Sequence, residues 1–250
     1  MIEGIFHLEA QSNREDVART SLENLVNKLK QEDKTEVTRE DLDEVIETDG
    51  MFSATGEVEA KFEDLTTYLL AAIKYGPSAI EIQEPAKIVL SAKEFLIALG
   101  EIIKLAKNFY TKYQVSFKFG KVKGKVGLDE EAIDGLLDQG AIRAKIIVES
   151  KGKSRREVIN AFAGAVKGDV FVNKAKTKQM EKGDGFEGLV GIDAFMYEPK
   201  TLVDIAVKHT PVLVEIVEPE EIELSMLDLQ DIGVDLASIF FEASHIVLAR

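Results

Sequence analysis

Sliding the chain against itself by 134 residues places Lys74, Pro77, Glu81, Ile82, Glu84, Pro85, Ile88, Leu90 and Ser91 on Lys208, Pro211, Glu215, Ile216, Glu218, Pro219, Ile222, Leu224 and Ser225 without a gap. The register runs back through Phe52 and Phe186, Ala60 and Ala194, Thr67 and Thr201, and Ala72 and Ala206. A match of that extent copies a whole supersecondary module, so any fold must accommodate the module twice. Nearer the N-terminus the match shifts to an offset of 141 on Ile5 and Ile146, Arg14 and Arg155, and Val17 and Val158, which puts about seven extra residues between the first helix and third strand of the first copy.

The second copy has the clearer pattern. Ala144 to Glu149 is an apolar run of strand length. Ser154 caps a helix whose apolar positions Val158, Ile159, Phe162 and Val166 follow helical spacing, with Gly168 as its stop. Asp169 to Gln179 alternates, Lys182-Gly183-Asp184-Gly185 supplies a hairpin turn, and Phe186 to Met196 is the next strand. Pro199 opens a short helix through Leu202, Ile205 and Ala206, and Val212 to Val217 is the last strand. The order β-α-β-β-α-β is that of the ferredoxin-like fold. In the first copy, Thr38 to Thr48 reads either as strand or as a helical turn capped by Thr38.

Each copy then adds a long helix. Ser91 with Glu94, and Ser225 with Asp228, form capping boxes. Phe95, Leu99, Ile102, Ile103, Ala106 and Phe109 make one apolar stripe, and Leu229, Ile232, Leu236, Phe240, Ala243 and Val247 the other. The stripes require cover, from each other or from the partner module's sheet, about a pseudo-twofold axis. The expected class is therefore α+β, a tandem of two ferredoxin-like modules each followed by a long amphipathic helix. Residues 1–112 form the first repeat, 113–140 a connecting basic hairpin and short acidic helix, and 141–250 the second. The apolar end, Ile239-Phe240-Phe241 and Ile246-Val247-Leu248, calls for burial on several sides, as in a homo-oligomer.

Composition narrows the chemistry. No Cys is present, which removes thiolate nucleophiles and Cys-based zinc sites, and the Lys- and Glu-rich make-up resembles that of thermophile proteins. The start lacks a signal-peptide pattern and no apolar run reaches membrane-spanning length, so the expectation is a cytoplasmic protein with no membrane partner. A formal net charge of −14 disfavours nucleic acid as a partner. Lys118, Lys121, Lys123 and Lys125, interleaved with Gly120, Gly124 and Gly127, read as a solvated hairpin or edge strand. A DNA sliding clamp shares the acidity and internal symmetry, but two long helices leave too little chain for its strand-rich modules.

One constellation invites chemistry: Glu-Ile-Gln-Glu-Pro at 81–85 and Glu-Ile-Val-Glu-Pro at 215–219. If Glu81, Glu84, Glu215 and Glu218 met, four carboxylates would suit a hard cation such as Mg²⁺ or Mn²⁺. The structural account is that Pro85 and Pro219 end the strands while Glu81 and Glu215 line a solvated face. His7, His209 and His245 lack ligand spacing, and His209, at the place of Tyr75, reads as a partly exposed helix-end residue. No nucleophile elbow, phosphate loop or dinucleotide fingerprint stands on either copy. The reading is a non-catalytic ligand-binding or protein-assembly module with a small molecule or protein as partner. The alternative is a divalent-metal-dependent enzyme acting on a small phosphorylated or carboxylated metabolite.

Overall fold

The computed structural model describes residues 1–113, 126–166, 170–180 and 185–248. In chain order the elements are β1 (Ile2–Ser12), α1 (Glu15–Leu29), β2 (Thr35–Leu42), β3 (Ile46–Thr48), β4 (Met51–Phe62), α2 (Leu65–Tyr75), β5 (Ala79–Glu84), β6 (Lys87–Ser91), α3 (Ala92–Tyr113), α4 (Glu130–Asp138), β7 (Ile142–Gly152), α5 (Arg155–Ala165), β8 (Phe171–Gln179), β9 (Phe186–Met196), α6 (Pro199–His209), β10 (Leu213–Glu218), β11 (Glu221–Ser225) and α7 (Met226–Leu248). This is a mixed α+β protein with antiparallel sheets. Among the described residues no helix is long and apolar enough to cross a membrane.

Two compact units result, and neither is a simple half of the sequence. One comprises Met1–Ile88 with Glu223–Arg250, the other Val89–Ile222. β6 and β11 pair with each other, and the chain passes between units inside these two strands. The helix that follows β5 in sequence, α3, therefore packs on α6 and β10, while α7, which follows β10, packs on α2 and β5. A linear division at residues 112 and 141 leaves each long helix with its own repeat; in the compact units the helices have changed places.

In the first unit the sheet order is β2-β4-β1-β5, with β3 continuing the hairpin against β4. Thr38 to Thr48 thus holds the end of β2 and all of β3, joined by residues 43–45, and no helix, and the Thr38 hydroxyl donates to the Glu59 carbonyl instead of capping one. Strand alternation sends Ile2, Phe6 and Leu8 of β1 and Val58, Ala60 and Phe62 of β4 into the core under Ala18, Leu22, Val26 and Leu29 of α1. Phe6, Phe62 and Tyr68 stack as a triangle with centroids 5.2–6.1 Å apart. Leu229, Ile232, Leu236 and Phe240 of α7 complete this core, each burial contributing roughly 1.5–3 kcal/mol.

The second unit has sheet order β10-β7-β9-β8. Ser154 caps α5 through Glu157 N–H, and Pro199 opens α6, as their spacing predicts. α5 ends at Ala165 with Val166 at its cap, ahead of Gly168, which lies outside the described residues, as do Lys118 to Lys125 and most of the 182–185 turn. Both capping boxes form: the Ser91 hydroxyl accepts from Glu94 N–H at 3.2 Å while the Glu94 carboxylate accepts from Ser91 N–H at 2.9 Å, and Ser225 with Asp228 repeats this at 3.1 and 2.8 Å.

The pairings correct one register. Ile5 lies opposite Glu81 and Lys145 opposite Glu215, so Phe6, not Ile5, corresponds to Ile146, and the offset for the first strand is 140. Ala18 and Val158, then Leu22 and Phe162, are buried at that same offset, whereas Val17 is exposed. The identities at 141 are coincidental, because a slip of one residue turns every side chain of a strand to the opposite face.

Candidate functional site

Each of the four carboxylates named above lies at the same strand position in its own unit. Glu81 accepts from or shares a proton with His7, Nε2 to Oε1 at 3.0 Å, while Glu57 stands 3.8 Å from Nδ1 of the same ring. Glu215 accepts from Lys145 Nζ at 3.2 and 3.3 Å. Glu84 and Glu218 end β5 and β10, each before a cis proline. Glu84 lies opposite Glu3, which accepts from Lys61, and Glu218 lies opposite Arg143. Within a unit Glu81 thus meets the His7 ring and Glu215 the Lys145 ammonium, each on the neighbouring strand. Among the described residues no group of three or more His, Asp or Glu is arranged to hold a metal ion.

The first unit holds a cavity of about 610 Å³ at the end of β1, walled by Glu9, Gln11, Gly76, Pro77, Ser78, Ala237, Ser238 and Phe241. Three elements build it. Because alternation sends Leu8 and Ala10 into the core, Glu9 and Gln11 emerge on the opposite face. α2 ends in left-handed Gly76 (φ 56°), whose N–H returns to Ala72, and an added Cβ there meets nothing within 4 Å, so this wall stays open. Ser78 then locks the loop to β1, its N–H and hydroxyl both donating to the His7 carbonyl at 2.8 and 3.1 Å. The third wall is α7, with Ala237 buried, Ser238 exposed and Phe241 57% exposed at the mouth.

Glu9 is the charged group of the cavity. Its Oε1 accepts from the Ser53 hydroxyl at 2.5 Å and from Gln11 Nε2 at 2.8 Å. The Ser53 bond, then the Gln11 bond, hold its carboxyl below the usual carboxylate range, so it is anionic at neutral pH.

A cavity of about 320 Å³ in the second unit overlaps this one at three aligned places, with Pro211 for Pro77, Val212 for Ser78 and Ile103 for Ala237; Leu96, Leu99, Gly100, Leu213 and Val214 complete its lining, while Glu149 and Lys151, which stand where the first unit has Glu9 and Gln11, do not line it. Sequence patterning missed Glu9, Gln11, Ser53 and Ser238. The available signal was divergence at aligned places: Ser78 against Val212, Ser238 against Lys104 and Phe241 against Lys107.

Two further polar features lie in the second unit. Arg143 donates from Nε and Nη2 to the two Asp193 oxygens at 3.0 Å each, and Asn173, 5% exposed, donates to the same carboxylate at 3.0 Å. The guanidinium hydrogen bonds hold Asp193 below its usual range. His209 packs edge-on against Phe162 at 5.0 Å, and burial pushes its imidazole down to about 4. That describes a neutral, half-buried helix-end residue.

Comparison with known proteins adds a lineage and no chemistry. A family model described as the MJ0538 family matches residues 3–250. A protein of Methanocaldococcus jannaschii, described as uncharacterized protein MJ0538, is 33% identical over 258 residues, covering 97% of this chain and 96% of its own. No solved structure matches the chain.

Proposed function

We propose that this chain, which belongs to the MJ0538 family, is a non-catalytic small-ligand-binding protein built from two ferredoxin-like modules in tandem that have exchanged their long helices. The strand orders support the fold reading: numbered within each βαββαβ module, both sheets read 4-1-3-2. The observation that carries the function is the cavity of the first unit, about 610 Å³ and walled by a carboxylate, an amide, two hydroxyls and an aromatic ring, a size and a mixed lining usual for ligand pockets. The second unit's cavity of about 320 Å³, which overlaps it at three aligned places, has an apolar lining.

Nothing in this cavity is arranged as a nucleophile with its base. The Ser78 hydroxyl donates to a backbone carbonyl, and Glu9 is kept anionic by donors instead of being raised toward a general acid. Binding is what the geometry offers. The test is a thermal-shift screen of a metabolite library against the wild type and Ser238→Trp, in which the indole occupies the cavity from an exposed position and leaves the core of α7 unchanged. A ligand at about 100 times its Kd adds roughly 2.7 kcal/mol and moves Tm visibly. The expected result is at least one compound that stabilises the wild type and not the variant. Compounds that stabilise both equally, or none that stabilises the wild type, would overturn the proposal.

A further inference from the structure

We infer that the ligand of the first unit's cavity is a small organic cation, its ammonium held by Glu9 and its carbon body lying against Phe241, Pro77 and Ala237. The inference rests on the ligand-binding reading above and names the class of ligand.

Several donors of the polar walls are already engaged. Ser53 donates its hydroxyl to Glu9 Oε1, Gln11 donates one amide hydrogen to the same oxygen, and Ser78 donates its hydroxyl to the His7 carbonyl. What remains for a guest is Glu9 Oε2, the Gln11 amide oxygen and its second N–H, the Ser78 hydroxyl lone pairs and the Ser238 hydroxyl. Three acceptors around one carboxylate match an ammonium, which offers up to three N–H donors and no acceptor. An anionic guest meets the reverse: no Lys, Arg or His side chain is among the lining residues, and Glu9 would repel it.

The Glu9 side chain is also preorganised. Two donors fix Oε1, so binding need not immobilise a free carboxylate. The formal net charge of −14 raises the local concentration of cations over the whole surface at low salt.

The experiment is calorimetric titration with phenethylamine, agmatine and spermidine as cationic probes, and with phenethyl alcohol and phenylacetate as neutral and anionic isosteres of the first. Wild type, Glu9→Gln and Ser238→Trp are compared after circular dichroism confirms that each is folded. The expectation is that at least one cation binds ten-fold or more tighter than the isosteres, that Glu9→Gln removes at least ten-fold of that affinity, and that Ser53→Ala, which frees the carboxylate without discharging it, loses less. A cation affinity unchanged in Glu9→Gln, or isosteres bound as well as the cations, would overturn the inference. If a neutral compound binds and Ser238→Trp blocks it, the ligand-binding reading stands and the cationic class falls; if no probe or library compound binds, both fall.

Discussion

The exchange of long helices makes a demand at one contact, between Tyr68 and Gly233. The Tyr68 hydroxyl, fully buried, donates to the Leu229 carbonyl of α7 at 2.7 Å, and a Cβ at Gly233 would collide with the Tyr68 hydroxyl oxygen and stand 2.7 Å from Ile80 Cδ1 and 3.0 Å from Tyr68 Cζ. Tyr68→Phe removes one buried hydrogen bond, a loss of about 1 kcal/mol. Gly233→Ala alone gains about 1 kcal/mol of helix propensity, but it forces the ring aside, losing the same bond and adding roughly 1–3 kcal/mol of overpacking. The net is a destabilisation of about 1–3 kcal/mol. In the Tyr68→Phe background the closest atom is gone and the bond cannot be lost twice, so Gly233→Ala becomes nearly neutral there. The double variant should therefore be more stable than the sum of the single effects by about 2 kcal/mol, read as Tm and urea midpoint with an unchanged m-value. Additivity within about 0.5 kcal/mol would refute the docking of α7 on α2.

Other outcomes follow from the same geometry. Thr210 closes α6 at φ 41°, where the first copy has Gly76, so Thr210→Gly should raise stability by about 1 kcal/mol in thermal melts. The native imidazole of His209 titrates below its unfolded value near 6.5, so its contribution is complete above that pH and is lost as pH falls toward 4; chemical denaturation should show a drop of up to about 3 kcal/mol over that window, flattened in His209→Tyr. Asp193, whose folded value is depressed, contributes above the unfolded value near 3.9 and loses that contribution as pH falls through the lower folded value. Asp193→Asn should cost about 2–3 kcal/mol at pH 7, with the gap from wild type closing in acid. Ser225→Ala should lose about 1 kcal/mol of α7 stability in the same melts.

Much of this architecture was legible in residues. Ser154, Pro199 and both capping boxes carry local chemistry that the tertiary structure has no reason to override, and the strand expected over Phe186 to Met196 matches the strand that forms. The exchange of α3 and α7 was not decided by the stripes, because an apolar stripe states that cover is needed and not who provides it. A signal existed in paired sizes: Tyr68 against Gly233 in the first unit, Leu202 against Leu99 at the corresponding places in the second, where a large residue beside none gives way to two of middle size. The cavity was illegible for a different reason. Glu9, Ser53 and Ser238 come from three distant segments, and only the register of β1 on β4 and the docking of α7 bring them together. The repeated carboxylates drew attention because duplication preserves corners as faithfully as sites. Glu81 meets the His7 ring and Glu215 the Lys145 ammonium on the neighbouring strand, which is reason enough for the corner to persist.

The most direct test of the ligand-binding account is a ¹H–¹⁵N NMR titration of the whole chain with the tightest-binding amine of the probe series. The account predicts saturable shifts at the amides of Gln11, Gly76, Ser78, Ala237 and Ser238, with Gly100 and Val212 of the second cavity unmoved. Shifts centred on Gly100 and Val212, or spread without a locus, would contradict it.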